Sequence, residues 1–111
     1  MTPVTLCNFV NGKHTDPRDG AYSDVTDPST GELYARAPVS SAADVDEALT
    51  AAATAFERWR DAVPGERSLA LLKFADAVER RAAEFVAAET RNTGKPVALA
   101  TTDEVPSPVA L

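Results

Sequence analysis

Residues 64–96 read PGERSLALLKFADAVERRAAEFVAAETRNTGKP, and this stretch decides how the chain is organised. Pro64 suits the first position of a helix, where its missing N–H would have no intrahelical partner in any case. Glu66 follows in the first turn, where the helix dipole favours an acid. Apolar residues then recur at Leu71, Phe74, Ala75, Val78, Ala82 and Phe85, the 3.6-residue period of one helix face. Lys73, Asp76, Glu79, Arg80 and Glu84 occupy the opposite, solvated side. Near Arg80 and Arg81 the apolar positions drift, so the run is expected to bend or split there. It closes at Asn92-Thr93-Gly94-Lys95-Pro96, where Gly94 accepts the left-handed backbone that follows a helix and Pro96 prevents a restart. Leu69, Leu72, Val86 and Ala88 widen the apolar arc beyond what one partner helix covers, which predicts a contiguous exposed patch.

Upstream of this run lies a second helical pattern with a clear start. Ser41 is a good N-cap, and Asp44 stands three residues later, at the capping-box spacing. Val45, Leu49, Ala52, Phe56 and Trp59 form its apolar stripe, opposite Asp46, Glu47, Glu57 and Arg58. Asp61-Ala62-Val63-Pro64-Gly65 breaks the pattern, and so short a link makes an antiparallel helix pair the default expectation. Phe56, Trp59, Phe74 and Phe85 are expected in the core, where each would stabilise by roughly 1.5–3 kcal/mol.

Residues 1–39 read as strands and turns. Asn11-Gly12 between Phe9-Val10 and Lys13-His14 is the strongest local signal for a two-residue hairpin. Tyr22 to Thr26 and Leu33 to Ala37 are further strand candidates, joined by the turn Asp27-Pro28-Ser29-Thr30-Gly31. Together they predict a small antiparallel sheet or hairpin pair. Residues 40–96 form the helices, and residues 97–111, with Pro106 and Pro108, are expected to be an irregular, truncated tail.

Composition narrows the class. With 111 residues the chain is at most one domain, and 44% hydrophobic with 25% charged residues is a globular balance. A net charge of −6 disfavours nucleic acid as a partner. No apolar run approaches the roughly 20 residues that span a bilayer, and the amino-terminal residues lack a secretory pattern. A single cysteine fits a reducing cytoplasm.

The residues offer little chemistry. Cys7 is the only thiol and stands in a strand-like segment without a glycine-rich turn, so it reads as a packed or surface cysteine. His14 is the only histidine, which excludes multi-histidine zinc patterns. No GxSxG or GxGxxG motif occurs, and Gly94-Lys95 closes a helix instead of opening one. From residue types alone the chain is an α+β segment, and a small acidic, non-catalytic helical interaction module is one reading of it.

Three stretches, in order, resemble the start of the aldehyde dehydrogenase superfamily. Phe9-Val10-Asn11-Gly12-Lys13 resembles its opening strand, and Asp27-Pro28-Ser29-Thr30-Gly31-Glu32 its "NPxTGE" turn, with Asp27 where Asn is usual. Trp59, Glu66-Arg67, Leu71-Leu72, Ala75-Asp76, Glu89 and Asn92-Thr93-Gly94-Lys95-Pro96 are similar to the helical "W…ER…L…AD…E…TGKP" pattern. The wording is nearest that of bacterial aminoaldehyde and betaine-aldehyde members. The resemblance implies an α/β fold of which this chain is the N-terminal α+β part of the coenzyme-binding domain: short antiparallel strands, then two or three amphipathic helices. It implies NAD- or NADP-dependent oxidation of an aldehyde to a carboxylate by the whole family chain, through a cysteine thiolate and a glutamate-activated water. No residue here matches the catalytic cysteine, glutamate or dinucleotide motifs, so no catalytic or cofactor-binding residue is assigned, and the segment alone is expected to be inactive and to bind no cofactor. The resemblance also implies a monovalent cation held by the carbonyls of Val25 and Thr26 and the carboxylate of Asp103, with Glu104 as substitute. The expected partner is the remainder of an aldehyde dehydrogenase chain, or a second copy, on the exposed apolar face.

Overall fold

The computed structural model describes residues 2–104, and of Asp103 and Glu104 the backbone alone. The chain divides into two compact units, one formed by the residues up to Thr26 with Leu33–Ala62, the other by Asp27–Glu32 with the chain from Val63 on.

Among the described residues, the first unit holds five strands and one helix. The hairpin pairs β2 (Asn8–Val10) with β3 (Lys13–Thr15) in antiparallel register, Phe9 opposite His14. Its turn is the expected Asn11-Gly12, with φ of 51° and 74°. Positive φ at both central residues matches the right-handed twist of the flanking strands. β4 (Tyr22–Thr26) runs antiparallel to β5 (Leu33–Pro38), with a bulge between Val25 and Thr26. A further strand that the sequence pattern does not announce, β1 (Val4–Thr5), pairs in parallel with β5 and makes a mixed three-stranded sheet in the order β1-β5-β4. Ala35, central in β5 and flanked on both sides, is buried.

Helix α1 (Ala42–Asp61) begins with a complete capping box. Ser41 Oγ accepts from the Asp44 N–H at 3.4 Å, while the Ser41 N–H donates to Asp44 Oδ2 at 2.8 Å. Each side chain thereby satisfies a backbone donor that the first helical turn leaves without an intrahelical partner. Arg18 ties the preceding turn to this helix end: its N–H donates to Asp44 Oδ1 at 3.2 Å and its guanidinium pairs with Glu47. The Ser41 N–H, with Arg18 adding to it, holds the Asp44 carboxyl below the usual carboxylate range.

In the second unit the long helical run is two helices, α2 (Pro64–Arg80) and α3 (Ala82–Thr93). The break falls at Arg81 (φ −108°, ψ 17°), where the apolar stripe drifts. The Arg81 N–H turns back to the Val78 carbonyl, and its side chain pairs with Glu84 at 2.7 Å. α3 ends at Gly94, whose φ of 76° is the left-handed conformation expected of it. Beyond Pro96 the structure corrects the expected irregular tail: a short turn α4 (Val97–Leu99) leads into a π-helical turn (Ala100–Glu104). Pro96 restarts the helix because it stands just before the first helical residue, where a missing N–H costs nothing. Residues 105–111, including Pro106 and Pro108, lie outside the described residues.

The expectation that the aromatic residues form a core does not hold within this chain. Phe56, Trp59, Phe74 and Phe85 are 57%, 44%, 69% and 46% exposed. Among the described hydrophobic residues only Ala35, Val86 and Ala100 are buried. Each helix presents an apolar arc, and the described residues supply no second layer to cover it.

Candidate functional site

The turn Asp27–Glu32 belongs to the same compact unit as α3 and meets its C-terminal end. Asp27 organises the turn: its Oδ1 accepts from the Ser29 N–H at 2.8 Å, and its carbonyl from the Gly31 N–H at 2.8 Å. The Asp27 N–H donates back to the Glu32 carbonyl at 2.9 Å, and Gly31 sits at φ 76°. An Asx turn uses a side-chain oxygen in place of a backbone one, so the Asp at the start of the motif is a structural part. Against this turn lies Gly94, whose N–H donates to the Thr90 carbonyl at 2.9 Å. A Cβ built on Gly94 would stand 3.1 Å from Cγ of Pro28. Arg91 approaches Asp27 at 4.0 Å, and Thr93 Oγ accepts from the Lys95 N–H at 3.2 Å. Two of the stretches that carry the family resemblance, far apart in sequence, are therefore joined in one unit. Their residues are turn formers and cap formers, and the arrangement positions backbone; it contains no nucleophile beside a base.

Cys7 and His14, each expected to be a packed or surface residue, stand together. Cys7 Sγ is 3.6 Å from His14 Nδ1, and the His14 ring tilts against Phe9 with centroids 5.2 Å apart. The hairpin register produces this: Phe9 faces His14, and Cys7 lies two residues before Phe9, on the same face. Cys7 and His14 are both exposed. Nearby, the Tyr22 hydroxyl donates to Asp16 Oδ1 at 2.9 Å; partial burial, and then this bond, push the phenol above its ordinary pKa.

For the cation positions, Val25 and Thr26 stand at the bulge that ends β4. Asp103 lies in the π-helical turn, and the side chains of Asp103 and Glu104 are outside the described residues. Among the described residues, no three His, Cys, Asp or Glu side chains come together as a metal cluster. The described glycines do not fit a dinucleotide. Gly12, Gly20, Gly31 and Gly94 occupy positive-φ turns, and Gly65 lies in the first turn of α2, after Val63-Pro64 and not after a strand. Pyrophosphate binding needs the N–H groups of a glycine-rich turn from strand into helix.

Each unit also carries a groove. In the second, Ala82, Ala83, Val86 and Ala87 of α3, with Val97 and Thr101, line an apolar depression of about 550 Å³. In the first, a depression of about 580 Å³ with a mixed lining separates the hairpin from α1, with Val10, Ala51, Lys13, Arg18, Asp46 and Glu47 on its walls.

Comparison with known proteins gives this geometry its context. A sequence model described as the aldehyde dehydrogenase family matches residues 14–110. The 2-aminomuconic semialdehyde dehydrogenase of Homo sapiens is 41% identical over 106 residues, which is 96% of this chain and 21% of that protein. Among solved structures, that of PnpE in complex with nicotinamide adenine dinucleotide superposes with a TM-score of 0.91 at 35% identity, covering 95% of this chain and 22% of that one. A putative aldehyde dehydrogenase from Burkholderia cenocepacia gives the same TM-score, 0.91, at 32% identity, covering 95% of this chain and 22% of its own. The chain thus spans about a fifth of the length of the curated relatives it matches.

Proposed function

The chain belongs to the aldehyde dehydrogenase family, and from that premise we propose that residues 1–111 serve as the N-terminal, structural segment of the coenzyme-binding domain of an NAD-dependent aldehyde dehydrogenase. The observation that carries this reading is the Asp27–Glu32 turn seated on the end of α3, since it unites two stretches of the family pattern through turn and cap residues. The reading assigns the segment no step of the oxidation. NAD is favoured as the coenzyme of the whole protein because similar structures are complexes with it. A semialdehyde or aminoaldehyde is the favoured substrate class, in keeping with the name of the human relative. The lone cysteine supports a cytoplasmic setting; no described helix is long and apolar enough to cross a membrane.

The partner in this reading is the remainder of an aldehyde dehydrogenase chain, laid over the apolar faces of α2 and α3. Leu69, Leu71, Leu72 and Phe74 are all more than half exposed, which supports a covering layer of comparable apolar character. Isothermal titration of the purified segment with NAD, and absorbance of reduced nicotinamide in the presence of aminoaldehydes, test the functional assignment. No binding heat and no turnover are expected; turnover that disappears in Cys7→Ser would overturn it. An apolar-surface dye tests the covering layer: the segment alone should bind it strongly, and a dye-silent monomer would remove the need for any partner.

A further inference from the structure

We draw no further inference here: the strongest candidate, the exposed Cys7–His14 pair on one face of the β2–β3 hairpin, is a lone thiol beside an imidazole, and nothing in the structure points to a ligand, ion or co-reactant for it.

Discussion

Replacing a glycine by alanine should have opposite consequences at Gly94 and Gly65. Gly94 ends α3 at φ 76°, a conformation that costs an L-residue about 1–2 kcal/mol. The added Cβ would also press on Pro28 Cγ at 3.1 Å, closer than an ordinary contact, so the turn must yield by a few tenths of an ångström. Gly65 stands in the first turn of α2, with nothing within 4 Å of its would-be Cβ. Alanine there removes backbone freedom from the unfolded chain and should stabilise by about 0.5–1 kcal/mol. The two variants should therefore differ by about 2 kcal/mol, roughly a 30-fold difference in the folding equilibrium. Gly31→Ala is the control for conformation alone, because Gly31 shares φ 76° but has open space around it. Any excess of Gly94→Ala over Gly31→Ala then reports the Pro28 contact. Urea unfolding followed by far-ultraviolet circular dichroism supplies the comparison. If Gly94→Ala is neutral, or if Gly65→Ala destabilises as much, then the left-handed cap and its seat against the turn are not what ends α3.

The capping box offers a second perturbation: Ser41→Ala should destabilise α1 by about 1 kcal/mol, seen as faster hydrogen exchange in its first turn, and unchanged exchange would contradict the cap. Acid should weaken the same end. Asp44 titrates lower in the folded chain than its ordinary 3.8 because the Ser41 N–H donates to it; Glu84, paired with Arg81, is likewise lowered from 4.5. Groups whose folded pKa is depressed lend stability above their unfolded pKa and lose it as pH falls through the folded one. Melting temperature should thus drop as pH falls below about 4, and Asp44→Asn should flatten part of that decline; an unaltered acid limb in the variant would reject the assignment. Thr90 buries a hydroxyl oxygen with no hydrogen-bond partner among the described residues. Thr90→Val, nearly isosteric, should leave stability unchanged or raise it by up to about 1 kcal/mol in the same urea assay, whereas a clear loss would mean that the hydroxyl has a partner.

Features set by short-range chemistry were legible in the sequence. Asn11-Gly12 announces its hairpin because few other pairs tolerate two positive φ angles in succession. Ser41 with Asp44, Pro64, and Gly94 mark helix ends because each satisfies or removes an orphan backbone group within a few residues. The split at Arg81 was readable as a phase drift in the apolar positions. What escaped depends on distant partners. β1 is two residues long and exists only through a parallel register that sets Val4 against Ala35. No alternation can be read from two residues. The seating of the Pro28 turn on Gly94 likewise joins positions that nothing local connects, although both belong to one family pattern. The nearness of Cys7 to His14 follows from the hairpin register, since two-residue turns fix which side chains share a face.

The aromatic residues failed as core predictors for a reason that bears on function. Periodicity reports which face of a helix will be covered, and says nothing about whether the covering element lies in the same segment. Leu71 and Phe74 obey the period and remain 62% and 69% exposed. Burying either would contribute roughly 1.5–3 kcal/mol, as much as or more than a single cap or turn described above. Caps and turns can therefore specify where the helices begin and end, but the larger gain in stability open to α2 is the one that burial of its apolar face would add. A segment with well-defined ends and an uncovered face is what one expects of the first layer of a larger domain. Four exposed apolar side chains within the first turns of one helix, Leu69, Leu71, Leu72 and Phe74, weigh against a self-sufficient module more heavily than the missing catalytic motifs do.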